Sequence, residues 1–264
     1  MDITHFFTYV QQNLGSESQF IQISSTLIQI NQVNFLIDTG LQGRTDIIYV
    51  LNKIRLSALD IHYVLNTHIH PDHYGGNRYF QNAEIYLSEE DYLFQRDFLH
   101  AIAQADLGQT EDAIKRFYPQ FNPKQCLYFS RIAREMANLW ENDGIGNAEQ
   151  IHYIEEDWPF DFIEAMATPG HSFQHYCFKI LAAKNPFLVT GDALSTKSAF
   201  QLNQLDFPYC YDAKAYLESQ QQIGKFQGII IPGHDYPFDT KTRQYIDNYT
   251  TEERSGVEFG DSET

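Results

Sequence analysis

The chain has 264 residues, of which 43% are hydrophobic and 15% aromatic, so it is long and apolar enough to bury a sizeable core. This composition excludes a disordered or fibrous protein. The 18 lysines and arginines against 35 aspartates and glutamates leave a net charge of −17, which argues against nucleic acid or an anionic lipid surface as a partner.

The first third of the chain is predicted to form strands. Three short segments at 20–24, 26–31 and 33–38 are rich in β-branched or aromatic residues and are separated by polar breaks. Helical spacing of apolar residues follows over 46–56, and short apolar strands are predicted at 61–66 and 83–87.

A helical region is predicted from Ser88 to about residue 142. Ser88 precedes the acidic Glu90 and Asp91, as an N-cap residue does. Pro119 and Pro123 should divide the region into at least two helices, because proline interrupts a helix.

The second half of the chain repeats the strand character. Strands are predicted at 162–167, 175–181, 186–190 and 228–231, with a helix over 213–224. This order favours two sheets with helices outside them over a parallel barrel. The acidic tail after Tyr249 is expected to be mobile.

No apolar run reaches the roughly 18 to 20 residues of a membrane span, and the N-terminal residues lack the pattern of a secretory signal. We therefore expect a soluble, cytoplasmic protein without a membrane partner. The three cysteines have no CxxC spacing, so reduced, buried thiols are expected rather than a disulfide framework or a cysteine-only zinc site.

The most informative segment is His68-Ile69-His70-Pro71-Asp72-His73, directly after a predicted strand. Side chains two apart in an extended chain point the same way, so His68 and His70 can face one ion. Pro71 then turns the chain, and Asp72 and His73 can face a second point nearby. Three imidazoles and a carboxylate in one loop would crowd polar groups without benefit unless a metal binds there.

Three further predicted strands end in a glycine followed by a potential ligand. These ligands are His171 after Gly170, Asp192 after Gly191 and His234 after Gly233. Glycine lets the backbone approach a crowded site, and a sheet holds the loops at its strand ends in place.

In this order, with Asp38 at the end of an early strand, these residues resemble the metallo-β-lactamase fold superfamily over nearly the whole chain. The resemblance implies an α/β fold, an αββα sandwich of two mixed β-sheets flanked by helices, with the metal site along one edge of the sheets. It also implies that Asp38 supports the ligand loop. The implied ligands are His68, His70 and His171 on a first metal, Asp72, His73 and His234 on a second, and Asp192 bridging both.

The chemistry of these residue types agrees with that assignment. Imidazole and carboxylate without thiolate suit zinc or iron rather than magnesium or calcium, and seven ligands are too many for one tetrahedral zinc. We therefore expect two divalent metal ions, zinc first, with iron or manganese as alternatives. Ions about 3.5 to 4 Å apart would share a hydroxide that attacks a carbonyl, and Asp72 could pass a proton to the leaving group.

Several branches of the superfamily fit this sequence poorly. His70 replaces the carboxylate of the di-iron oxygen and nitric oxide reductases, Asp192 is the bridging carboxylate that true β-lactamases lack, and the charge of −17 argues against the nucleases. The hydrolases that resemble N-acyl-homoserine lactonases and glyoxalase II remain, together with the single-iron persulfide dioxygenases.

The segments at 168–172 and 233–235 look lactonase-like, whereas the C-terminal helical domain of glyoxalase II is not evident. We therefore expect a small-molecule ester substrate, an acyl lactone first and a thioester next. Ser195 stands where those lactonases have a tyrosine, so Tyr209 and Tyr211 are candidates for stabilising the oxyanion. His175 is assigned a structural role.

The predicted domain organisation is one hydrolase domain over 1–249, with a helical insertion at about 88–147 and an acidic tail at 250–264. The resemblance places a lid or a dimer contact at the insertion, whose aromatic residues either line an acyl-chain pocket or pack in a core. A homodimer is therefore expected. A non-catalytic metal-binding scaffold or sensor is the alternative from a different functional class.

Overall fold

A computed structural model describes residues 1–14, 17–41, 46–106, 108–143, 145–181, 186–202 and 210–246. Tyr209 and the predicted tail at 250–264 lie outside the described residues. The described cysteines, Cys126, Cys177 and Cys210, are free and buried, as expected. None of the helices in the described ranges combines the length and apolar character that a membrane span requires.

The first sheet contains six strands in chain order. Its first three strands pair antiparallel and the rest pair parallel. The strands are β1 (Asp2–Leu14), β2 (Glu17–Ile30), β3 (Val33–Ile37), β4 (Tyr63–Leu65), β5 (Glu84–Leu87) and β6 (Ile151–Tyr153).

The second sheet contains five strands in the order β11-β10-β9-β8-β7. Only the β9–β10 pair is parallel among its described strands. The strands are β7 (Ile163–Ala167), β8 (Tyr176–Ile180), β9 (Phe187–Gly191), β10 (Ile229–Pro232) and β11 (Phe238–Asp239).

Helices flank the two sheets. They are α1 (Asp46–Lys53), α2 (Pro71–Tyr74), α3 (Glu89–Gln104), α4 (Thr110–Phe117), α5 (Pro123–Asp143), α6 (Lys197–Leu202) and α7 (Ala213–Ile223).

The main core lies between the sheets, where Ile28 and Ile37 of the first sheet pack with Phe178 and Ile231 of the second. The outer face of each sheet forms a further apolar layer, with α1 on the first sheet and with α6 and α7 on the second. The predicted αββα sandwich is confirmed.

The helical insertion has an apolar core of its own. Phe98, Ile114 and Phe129 are among the buried residues that α3, α4 and α5 contribute to it. The predicted N-cap is present, since the Ser88 hydroxyl accepts a hydrogen bond from the Asp91 N–H. The prolines act as expected, because α4 ends before Pro119 and α5 begins at Pro123.

The structure departs from the sequence-based expectations at several elements. β1, β6, β11 and α6 were not predicted, and the two strands expected at 20–24 and 26–31 form the single strand β2. Ser25, which stood at the predicted break, is buried in this strand. Every residue of β1 pairs with β2, so its strand conformation depends on this partner rather than on local alternation.

Candidate metal centre

The ligand-rich loop leaves the first sheet at the end of β4. His70 has extended backbone angles, and Pro71 occupies the first turn of α2, where its fixed φ angle suits a helix start. The chain therefore turns between His70 and Asp72, as predicted, and α2 holds Asp72 and His73.

Three imidazoles that could hold one metal ion form what we call the first ligand group. Nε2 of His68 lies 2.9 Å from Nδ1 of His70, and Nε2 of His171 lies 3.1 Å from that same atom. Nitrogens bound to one tetrahedral zinc ion are about 3.4 Å apart, so this spacing is close to that of a zinc site. Burial lowers the pKa of all three histidines, well below the usual value for His68 and His171, and neutral imidazole is the form that binds metal.

Asp72, His73 and His234 form the second group. Oδ2 of Asp72 lies 3.7 Å from Nε2 of His73 and 4.0 Å from Nε2 of His234. The candidate ligand atoms of the three residues are all within 4.8 Å of one another. Burial alone would lower the pKa of both histidines, but nearby carboxylates, Asp192 first, raise it instead.

Asp192 lies between the two groups, directly after β9. Its Oδ2 is 3.3 Å from Nε2 of His171, while its Oδ1 is 3.1 Å from Nε2 of His234 and 3.4 Å from Nε2 of His73. Burial tends to raise the pKa of this carboxyl, but the surrounding histidines hold it well below its usual value. A charged carboxylate that faces both groups has the geometry expected of a bridging ligand.

Two buried atoms at the centre fit a cation. Nε2 of His73 and Oδ1 of Asp192 are buried 3.4 Å apart, and neither atom makes a hydrogen bond of good geometry within the described part of the chain. Buried polar atoms are rarely left unsatisfied in native proteins. A donor set of imidazoles and carboxylates is also one that zinc and iron accept, so the residues present fit metal ions.

Asp38 supports the ligand loop, as the resemblance implied. One carboxylate oxygen accepts a hydrogen bond from the Thr67 N–H at 2.9 Å, and the other accepts from the Thr67 hydroxyl at 2.8 Å and lies 2.8 Å from Nδ1 of His73. This contact directs Nε2 of His73 toward the centre, the role that outer carboxylates have for metal-binding histidines.

Gln22 of β2 supports His234 in a similar way. Nδ1 of His234 lies 2.6 Å from the Gln22 carbonyl oxygen, and the Gln22 side-chain amide donates to the His234 carbonyl oxygen at 3.0 Å. Sequence reasoning missed this contact, because no local pattern links residues that are 212 positions apart.

His175 packs behind the first ligand group. Its ring stacks on that of His68 with centroids 4.9 Å apart, and its Nε2 accepts a hydrogen bond from the Ala193 N–H at 3.3 Å. Burial lowers the pKa of His175 to about 3, so the ring stays neutral. It therefore packs between the candidate ligand His68 and the loop that carries Asp192.

The residues considered for stabilising an oxyanion occupy different positions in the chain. Tyr211 is half-buried, its N–H donates to the His171 carbonyl oxygen at 3.0 Å, and its ring packs against Phe94 and Phe173. Ser195 is buried, and its carbonyl oxygen accepts a hydrogen bond from the His234 N–H. Tyr209 belongs to the part of the chain that the structure does not describe.

Comparisons with known proteins agree with this geometry. The family model described as the metallo-beta-lactamase superfamily matches residues 19–234. A probable metallo-hydrolase of Methanocaldococcus jannaschii is 27% identical over 76% of this chain and 70% of its own length. An N-acyl homoserine lactonase of a Bacillus species is 26% identical over 72% of this chain, and the match spans 62% of the lactonase.

The fold also matches solved structures. A probable metal-dependent hydrolase from Staphylococcus aureus superposes with a TM-score of 0.66 at 18% identity. The match covers 96% of this chain and 94% of the other. At this level of identity the superposition supports the fold.

Proposed function

The chain belongs to the metallo-β-lactamase superfamily, and we propose that it is a metal-dependent hydrolase that opens an ester-type carbonyl, with an acyl lactone as its first substrate class. The observation that supports this most is the convergence of seven side chains from the ends of both sheets on one small volume. The similarity to N-acyl homoserine lactonases favours a lactone over a thioester.

The proposed ligands divide into two groups. Two divalent ions, zinc first, would supply Lewis acidity and lower the pKa of a water molecule toward neutrality. His68, His70 and His171 would hold one ion and Asp72, His73 and His234 the other, with Asp192 between them.

Two side chains have proposed roles in the chemistry itself. The Asp72 side chain is 31% exposed while its Oδ2 faces the second ligand group, so its carboxylate can take up a proton from the attacking water and pass it to the leaving group. Burial, together with Asp212, raises the pKa of Tyr211, so its phenol stays protonated and can donate a hydrogen bond to an oxyanion.

An apolar group of the substrate would fit beside Tyr211. The half-buried rings of Phe94, Phe173 and Tyr211 contact one another, with the Phe94 and Phe173 rings stacked at 4.9 Å. Phe173 is two residues beyond the proposed ligand His171, so this surface adjoins the ligand loop. Such a surface suits an acyl chain.

Metal analysis and paired substrate assays test the proposal. We expect about two metal ions per chain by plasma emission spectrometry and faster hydrolysis of acyl lactones than of thioesters. Faster hydrolysis of a thioester would change the substrate class but keep the mechanism. One iron per chain with oxygen-dependent sulfite production would indicate a persulfide dioxygenase instead.

Two further predictions concern the state of the protein. We propose a cytoplasmic location, which cell fractionation tests, and a homodimer that uses the helical insertion, which light scattering tests.

A non-catalytic scaffold would be indicated if alanine at Asp72 or Asp192 left the binding of a partner protein intact and no hydrolysis were ever detected.

A further inference from the structure

Asp91 is a fully buried carboxylate in the first turn of α3 that reaches two separate loops. Its Oδ2 accepts a hydrogen bond from the Ile69 N–H at 2.7 Å, and its Oδ1 accepts from the Gln174 N–H at 3.2 Å. The Ser172 hydroxyl and the Phe173 N–H also interact with this carboxylate.

These partners adjoin every member of the first ligand group. Ile69 lies between His68 and His70, and Ser172 directly follows His171. We propose that Asp91 is a positioning residue for this group, holding the two loops in the register that brings the three imidazoles together. This inference depends on the proposed metal-dependent function.

The Asp91 side chain is not needed as the cap of α3. The Ser88 hydroxyl caps the helix by accepting from the Asp91 N–H, so the Asp91 side chain is free to contact the loops. Burying a carboxylate is unfavourable unless hydrogen bonds satisfy it, and here the donors come mainly from loop backbone N–H groups. Their directions restrict where each loop can lie relative to α3.

The proposal also links the helical insertion to the metal centre. Asp91 belongs to the insertion, whereas Ile69 follows the first sheet and Gln174 precedes β8 of the second. One side chain therefore connects three parts of the fold at the first ligand group. The hydrogen-bond partners of Asp91 adjoin the first group, not Asp72, His73 or His234 of the second.

The test compares Co²⁺ binding by wild-type protein and the Asp91→Asn variant. Asparagine keeps the size of the side chain but replaces one acceptor oxygen with a donor that opposes a loop N–H. We expect the visible spectrum of the first Co²⁺ site to change and its affinity, measured by chelator competition, to fall about 10- to 100-fold. The visible spectrum and the Co²⁺ affinity of the second site should change less.

Ser88→Ala is the matched control, because it removes the helix cap and leaves the Asp91 carboxylate and both loops in place. It should lower thermal stability while keeping the wild-type Co²⁺ spectrum and affinity. If Asp91→Asn lowered thermal stability in the same way but kept wild-type Co²⁺ binding, Asp91 would have only a structural role and the proposal would be wrong.

Asp91→Glu serves if Asp91→Asn does not fold, since it keeps the carboxyl group and moves it by one methylene. A wild-type Co²⁺ spectrum and affinity in that folded variant would also overturn the proposal. A wild-type chain that binds no Co²⁺ would instead overturn the proposed function, and the present inference with it.

Discussion

The carboxylate of Asp38 lies 2.8 Å from Nδ1 of His73 and leaves the opposite ring nitrogen facing Asp192 at 3.4 Å. Asp38 also adopts a left-handed backbone conformation, with φ at 57°, at the end of β3. A non-glycine residue seldom adopts this conformation unless its surroundings hold it there. The hydrogen bonds to Thr67 and the contact with His73 are such surroundings.

Asp38→Asn should weaken metal binding at the second ligand group. The amide no longer offers two acceptor oxygens, so the orientation of His73 is less well fixed, and we expect a loss of metal affinity of about 10- to 100-fold. Metal content after dialysis against a series of chelator concentrations measures this loss of affinity. Asp60→Asn, at an exposed carboxylate that hydrogen-bonds Ser57, should match the wild type.

Asp192→Asn should affect both ligand groups. Asp192 faces His171 through one oxygen and both His73 and His234 through the other. We expect metal content to fall below that of Asp38→Asn, and kcat/KM for the best ester substrate to drop by more than about 100-fold. Retention of two ions and full activity would contradict the bridging role. Asp97→Asn, on an exposed helix surface, is the control.

Gly233→Ala should disturb the centre by steric contact. A Cβ atom at this position would clash with Oδ1 of Asp192 and with the backbone of Gly191. We expect lower metal content and a fall of about 1 to 3 kcal/mol in the free energy of unfolding. Gly108→Ala is the matched control, because a Cβ there meets no atom within 4 Å. If both variants behave alike, close packing around Asp192 is not required.

His5 should make the protein less stable in mild acid. Burial lowers its pKa from 6.5 to about 3, so the unfolded chain takes up a proton between these values that the folded chain does not. Stability is thus present above pH 6.5 and is lost as the pH falls toward 3. Between pH 7 and pH 5, the wild type should lose about 2 kcal/mol more than His5→Gln in the free energy of unfolding.

Urea denaturation at the two pH values measures this difference. His100→Gln, at an exposed position on α3, should keep the wild-type pH dependence. Equal pH dependence in wild type and His5→Gln would mean that the His5 ring is not held neutral in the fold.

Tyr211→Phe should slow the reaction without removing metal. Loss of one hydrogen bond to an oxyanion typically lowers kcat about 10²- to 10³-fold. Steady-state kinetics with an acyl lactone, alongside metal analysis of the same sample, separates the two effects. Tyr49→Phe, at a tyrosine that is 53% exposed on α1, should have wild-type kinetics. An unchanged kcat in Tyr211→Phe would assign the role to another residue.

The sequence was most informative where the structure depends on local signals. The Ser88 cap, the proline boundaries and the strands β7 to β10 needed only short-range patterns, and the HxHxDH segment contains four candidate ligands within six residues. β1 could not be predicted from local patterns, because its strand conformation depends on pairing with β2.

The supporting residues of the site were harder to predict. Asp91 and Gln22 act on ligand loops through contacts between distant positions, and neither stands in a distinctive local pattern. In the sequence, Asp91 is distinguished only as an acidic residue after a helix cap. A single sequence does not reveal that its side chain points away from solvent, because that depends on how two other loops return to the same helix.

The proposed ligands come from both layers of the sandwich. His68, His70, Asp72 and His73 follow β4, whereas His171, Asp192 and His234 follow β7, β9 and β10. Each ion would thus crosslink segments about a hundred residues or more apart, much as a disulfide does. Removal of the ions by a chelator should therefore weaken the contact between the two layers. Backbone amides near the shared edge should then exchange their hydrogens faster than amides in the middle of either sheet.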